Sequence, residues 1–129
     1  MYWAFEKIHD YDDERISDQL VHLFSKPHMG IGWLAFKETE AVGYLLAVYV
    51  FSLEHLGVTA EIDEFFVLQK YRNLGIGKRL LEVAETEFIR VGCTNISLQI
   101  AHENDAARSF YHKHGYLERT RFELLEKTL

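Results

Sequence analysis

The chain has 129 residues, a formal net charge of −6 and a hydrophobic fraction of 48%. That length and apolar content suit one globular domain over residues 1–129, burying about two-thirds of its unfolded surface. The acidic balance excludes broad, non-specific binding to nucleic acid. The longest apolar run, residues 41–53, is broken by Gly43 and Ser52 and is too short to span a bilayer. The first residues carry no basic segment followed by an apolar core, and the single cysteine, Cys93, has no internal disulfide partner. The expectation is a cytoplasmic protein with no membrane and no nucleic-acid partner.

In chain order, residues 2–8 alternate as a first strand, and residues 10–13 offer helix N-caps. Ile16, Leu20, Leu23 and Phe24 recur at helical spacing, so a helix is predicted to about Phe24. Pro27 and Gly30 mark a loop. Residues 31–37 and 41–51 read as strands around the polar turn Lys37-Glu38-Thr39-Glu40. Residues 59–68 form a further strand. Residues 77–91 form a helix with Leu80, Leu81, Ala84, Phe88 and Val91 on one stripe, stopped by Gly92. A strand follows over 94–101. Asn104 then caps a helix that Gly115 ends, and residues 116–119 and 121–126 read as a closing hairpin. The order β-α-β-β-β-α-β-α-β-β is a mixed α+β fold: one mostly antiparallel sheet flanked by helices.

The densest signal lies between the 59–68 strand and the helix after it. There the chain runs Arg72-Asn73-Leu74-Gly75-Ile76-Gly77-Lys78-Arg79. A glycine-containing turn opening a helix presents unpaired amide N–H groups, a seat for phosphate or pyrophosphate. Gly75 and Gly77 let the backbone approach an anion, and Arg72, Lys78 and Arg79 add positive charge. A P-loop requires wider glycine spacing and a hydroxyl after the lysine, where Arg79 stands. A dinucleotide fingerprint requires a third glycine, where Leu80 stands. The pattern R/Q-x-x-G-x-G/A is met in full. A second segment, Asn104-Asp105-Ala106-Ala107-Arg108-Ser109-Phe110-Tyr111-His112-Lys113-His114-Gly115-Tyr116, follows N-x-x-A-x-x-F-Y-x-x-x-G-F/Y, one helix and one strand downstream.

In both motifs the chain resembles the GCN5-related N-acetyltransferases. The likeness is strong over residues 59–127 and looser over 1–53. It implies the single-domain acyl-CoA N-acyltransferase fold, with acetyl-coenzyme A as the acyl-donor substrate and no metal. Phe66, Val67 and Leu68 match the positions where that family's strand parts from its neighbour and its backbone pairs with the pantetheine arm. The N–H of Phe66 or Val67 would polarise the thioester oxygen. Arg72, Asn73, Leu74, Gly75, Ile76, Gly77 and Lys78 would hold the pyrophosphate, and Asn104, Ala107 and Tyr111 would line the thiol end.

Acetyl transfer to an amine requires a neutral nucleophile, although a free alkyl amine has a pKa of about 10.4. Three carboxylates precede the parting segment. Alternation puts Glu61 and Asp63 on one face of the strand and Glu64 on the other. Asp63 is the first choice as amine binder or base, with Glu61 and Glu64 next. Tyr111 is the candidate donor to the departing sulfur. The reading is direct transfer to a primary amine, with a small cationic acceptor preferred. A protein N-terminus or lysine is the runner-up, and a non-catalytic acyl-CoA sensor module is the alternative from another class. Pairing of two copies through the closing strands would make a homodimer.

Overall fold

The structure is a computed structural model and describes residues 13–129. The strand expected over residues 2–8 and the caps before Asp13 lie outside the described residues. Two compact units divide the chain, Met1–Gln99 and Ile100–Leu129.

In the first unit, helix α1 (Asp13–Phe24) leads to strands β1 (Gly30–Lys37), β2 (Glu40–Ser52) and β3 (Gly57–Val67). A single 3-10 turn (Gln69–Tyr71) and helix α2 (Ile76–Arg90) follow, then the short strand β4 (Ile96–Leu98). The sheet has the order β1-β2-β3-β4, antiparallel through β3, with β4 parallel to β3.

The two helices cover opposite faces. Trp33 and Tyr49 meet Phe88 of α2 edge-on, with ring centroids 5.9 and 6.3 Å apart. Leu45, Ala47, Ala60, Ile62 and Val67 are buried, as are Leu80, Leu81 and Ala84 of α2. Cross-strand register puts the five strand residues on the Trp33 face. The other face of β1 carries Gly30 and Gly32, where α1 approaches closely. A Cβ on Gly30 would lie 2.6 Å from the Ala47 carbonyl oxygen and 2.9 Å from Leu23 Cδ1. Only glycine lets Leu23 sit there.

The helix stripe is buried as expected except at Val91, which is 43% exposed. Helix α2 ends one residue earlier, at Arg90. Gly92, at φ +87°, sends its N–H to Ile89 O, and Cys93 N–H goes to Phe88 O. This pair of backbone bonds closes the helix C-terminus and leaves Val91 outside the stripe.

In the second unit, helix α3 (Asp105–Lys113) is capped by Asn104, whose Oδ1 accepts the Ala107 N–H at 3.1 Å. Gly115, at φ +89°, ends it: Gly115 N–H bonds His112 O and Tyr116 N–H bonds Tyr111 O. The closing hairpin expected after it is not found: among the described residues no strand follows β4. Residues 117–129 are all exposed. Their alternation states which face would be buried if they paired, but supplies no sheet edge, and an isolated hairpin is marginal in water. β4 is likewise shorter than the 94–101 strand expected.

Candidate active site

The geometry of the site turns on one extra residue in β3. Ala47 pairs with Ile62 and Leu46 with Glu64, leaving Asp63 as a bulge. Before the bulge, even-numbered residues turn their backbone toward β4: Ala60 N–H donates to Asn95 O, and Val58 O accepts from Thr94. After it the parity inverts. Leu68 N–H donates to Val42 O on the β2 side, so the alternation of an antiparallel ladder places Phe66 and Glu64 on that side too. Phe65 and Val67 then turn their backbone groups away from β2. The β3–β4 pairing runs only through Ala60↔Ile96, Glu61↔Ser97 and Ile62↔Leu98, stopping where the bulge begins. The bulge thus ends one ladder and redirects the backbone of the next five residues. Of the two amides expected to face a donor, Val67 lies on that side and Phe66 lies on the β2 side.

The bulge also corrects the expected placement of the carboxylates. Glu61 pairs with Val48 and Glu64 with Leu46, two residues apart on β2. Both therefore occupy one face, opposite to the α2 core, and it is not Glu61 and Asp63 that share it. Glu61 is half-buried, and the Oε2 of Glu64 is sealed from solvent. Asp63, on the bulge itself, is exposed.

Beyond Val67 the chain makes its 3-10 turn and enters the glycine loop. Asn73 and Gly75 both adopt left-handed backbone, at φ +62° and +85°. Nothing lies within 4 Å of where a Gly75 Cβ would stand, so it is the backbone angle that calls for glycine there. The first bond of α2 is Arg79 N–H to Gly75 O, at 3.0 Å. The amides of Ile76, Gly77 and Lys78 precede it at the positive end of the helix dipole. These are the amides at which the sequence leads one to expect a phosphate seat. Lys78 lies 3.9 Å from Glu82 one turn on.

Arg72 does something the sequence did not suggest. Its Nε donates to Val67 O at 2.8 Å, and its guanidinium carbon stands 5.4 Å from the Phe66 ring centroid. A second brace fixes the preceding turn. Tyr71 Oη donates to Glu40 Oε2 at 2.7 Å, and Lys70 Nζ lies 3.4 Å from Glu40 Oε1. Tyr71's hydrogen bond holds the Glu40 carboxyl below its usual range. No motif marks this cluster; it joins residues 30 and 31 positions apart.

In the second unit, Tyr111 packs edge-on against Tyr116 at 5.5 Å. Burial pushes its phenol up to about 12, so it remains a neutral O–H donor at physiological pH. Asn104 and Ala107 are tied together by the cap.

The sequence profile of the acetyltransferase (GNAT) family matches residues 1–116. The chain belongs to the acetyltransferase (GNAT) family. It is 30% identical over 95 residues to the uncharacterized N-acetyltransferase YhfO of Bacillus subtilis, covering 74% of this chain and 64% of that protein. It is 27% identical over 115 residues to a spermidine N(1)-acetyltransferase of Thermoplasma acidophilum, covering 88% of this chain and 65% of that one. This GNAT chain therefore spans a little under two-thirds of the length of those relatives. A crystal structure of a probable acetyltransferase shares the fold with a TM-score of 0.84 at 18% identity, over 99% of this chain and 85% of that one. The expected α+β acyltransferase fold is thus the one observed.

Proposed function

We propose that this chain is an acetyl-CoA-dependent N-acetyltransferase that moves the acetyl group directly to a primary amine of a small cationic acceptor. The observation that carries the reading is the Asp63 bulge, which ends the β3–β4 ladder and turns the Val67 backbone toward the gap, immediately upstream of the anion seat. A phosphate-bearing donor held by the amides of Ile76, Gly77 and Lys78 fits a loop that leaves open space beside the Gly75 backbone. Its extended arm fits the redirected edge of β3, as an added strand does.

Val67 N–H hydrogen-bonds the donor in that gap and helps fix the thioester. Glu64, with Glu61 on the same face, binds the acceptor ammonium and takes its proton, directly or through water. The acceptor nitrogen forms the C–N bond as the C–S bond breaks. Of the two protons the ammonium gives up, one passes to solvent and the other ends on sulfur. Tyr111, assigned on the later motif, donates its O–H hydrogen bond to the departing thiolate. Positioning of two bound substrates supplies much of the rate. The carboxylate contributes about 10²–10⁴-fold. The acceptor class is supported by the two carboxylates, the net charge of −6 and the likeness to a spermidine acetyltransferase.

The test is thiol release from acetyl-CoA across a panel of polyamines, aminoglycosides, lysine peptides and free N-termini. Release driven by small cationic amines is expected. Tight donor binding with no amine-dependent release would replace the enzyme by a sensor module.

A further inference from the structure

Arg72 opens the glycine loop, and its charge invites the role of phosphate ligand. Its contacts indicate a different one. The side chain folds back along β3, its Nε bonded to Val67 O at 2.8 Å and its guanidinium stacked beside Phe66 at 5.4 Å. Its own N–H bonds Gln69 O, closing the 3-10 turn. The same peptide segment is held from the other side by Leu68 N–H to Val42 O. The backbone around Val67 is therefore clamped between β2 and Arg72.

We infer that Arg72 is a positioning residue for the donor's pantetheine arm: by holding the Val67 carbonyl it fixes the strand edge against which that arm lies, and it does not act as a pyrophosphate ligand. This rests on the proposed acetyltransferase reading. A planar guanidinium suits both tasks at once, donating in its plane while stacking on an aromatic face. A hydrogen bond from a charged donor is worth about ten- to a hundred-fold, and an exposed arginine belongs at the lower end.

The experiment compares wild type, Arg72→Met and Arg72→Gln with two donors, acetyl-CoA and S-acetylpantetheine, which lacks the phosphates. Met keeps an apolar contact with the Phe66 ring and loses the donor; Gln keeps an N–H. The expected result is a fall in kcat/KM of about tenfold for Arg72→Met with both donors, largely restored in Arg72→Gln. A loss confined to acetyl-CoA makes Arg72 a phosphate ligand and overturns the inference, as does equal impairment of Met and Gln. If wild type releases no thiol from either donor, the acetyltransferase reading fails separately. The clamp is then read from the Val67 amide resonance during titration with coenzyme A. It should shift in wild type and Arg72→Gln but much less in Arg72→Met; equal shifts in all three overturn it.

Discussion

Glu61 and Glu64 stand on the same face of β3, three residues apart, because the Asp63 bulge resets the alternation between them. In an unbroken strand they would face opposite sides. Their pairing with Val48 and Leu46 puts both carboxylates on the face opposite the α2 core, and Glu64 has one oxygen sealed from solvent.

Replacing Glu64 with Gln is expected to lower kcat/KM about a hundredfold at neutral pH. The deficit should shrink as the pH approaches the acceptor's own pKa, near 10.4, because the free amine then forms without help. Glu61→Gln should act in the same direction but more weakly, and Asp63→Asn should matter least. Steady-state pH–rate profiles of the three variants check this; a profile for Glu64→Gln that overlays wild type at every pH removes Glu64 from the chemistry.

Tyr111 carries a prediction in each of two measurements. Tyr111→Phe should lower kcat while leaving acetyl-CoA affinity nearly intact, since it removes only the O–H. Its phenol is raised by burial to about 12. Below pH 10 both folded and unfolded chains hold this proton. Between pH 10 and 12 the unfolded chain loses it first, so stability falls as pH rises through that window. Tyr49 is raised by burial too and acts in the same direction. Chemical denaturation at pH 9 and pH 11 should show a smaller loss for Tyr111→Phe than for wild type.

Phe88 is 1% exposed and joins α2 to the sheet through Trp33 and Tyr49. Phe88→Ala should cost about 3–5 kcal/mol. Urea unfolding measures it; a cost below about 1 kcal/mol would mean that the α2 face is not the core.

The loop at Arg72 to Gly77 was legible because glycine spacing and helix periodicity are local properties of the sequence. The α2 stripe was legible for the same reason: Leu80, Leu81, Ala84 and Phe88 repeat at the helical interval. The bulge was not. Asp63 sits in an unbroken run of strand-compatible residues, with no glycine or proline beside it to mark an insertion. A bulge is fixed by how two strands pair, and one strand's pattern does not contain that. The misplacement of Glu61 and Glu64 and the choice between Phe66 and Val67 both follow from it. The absent closing strands have a related cause, since the apolar residues Leu117, Phe122 and Leu124 state a preference for burial without naming a partner. The charge of Arg72 suggests a phosphate ligand, whereas its contact with Val67 depends on how the 3-10 turn brings it back along β3.

In the proposed reading, the amides opening α2 and the amide of Val67 together hold an acyl-CoA. A ¹⁵N-resolved titration with coenzyme A tests it most directly. Saturable shifts concentrated at Val67, Ile76, Gly77 and Lys78 are expected. Shifts that leave those four amides unmoved while others respond would contradict it.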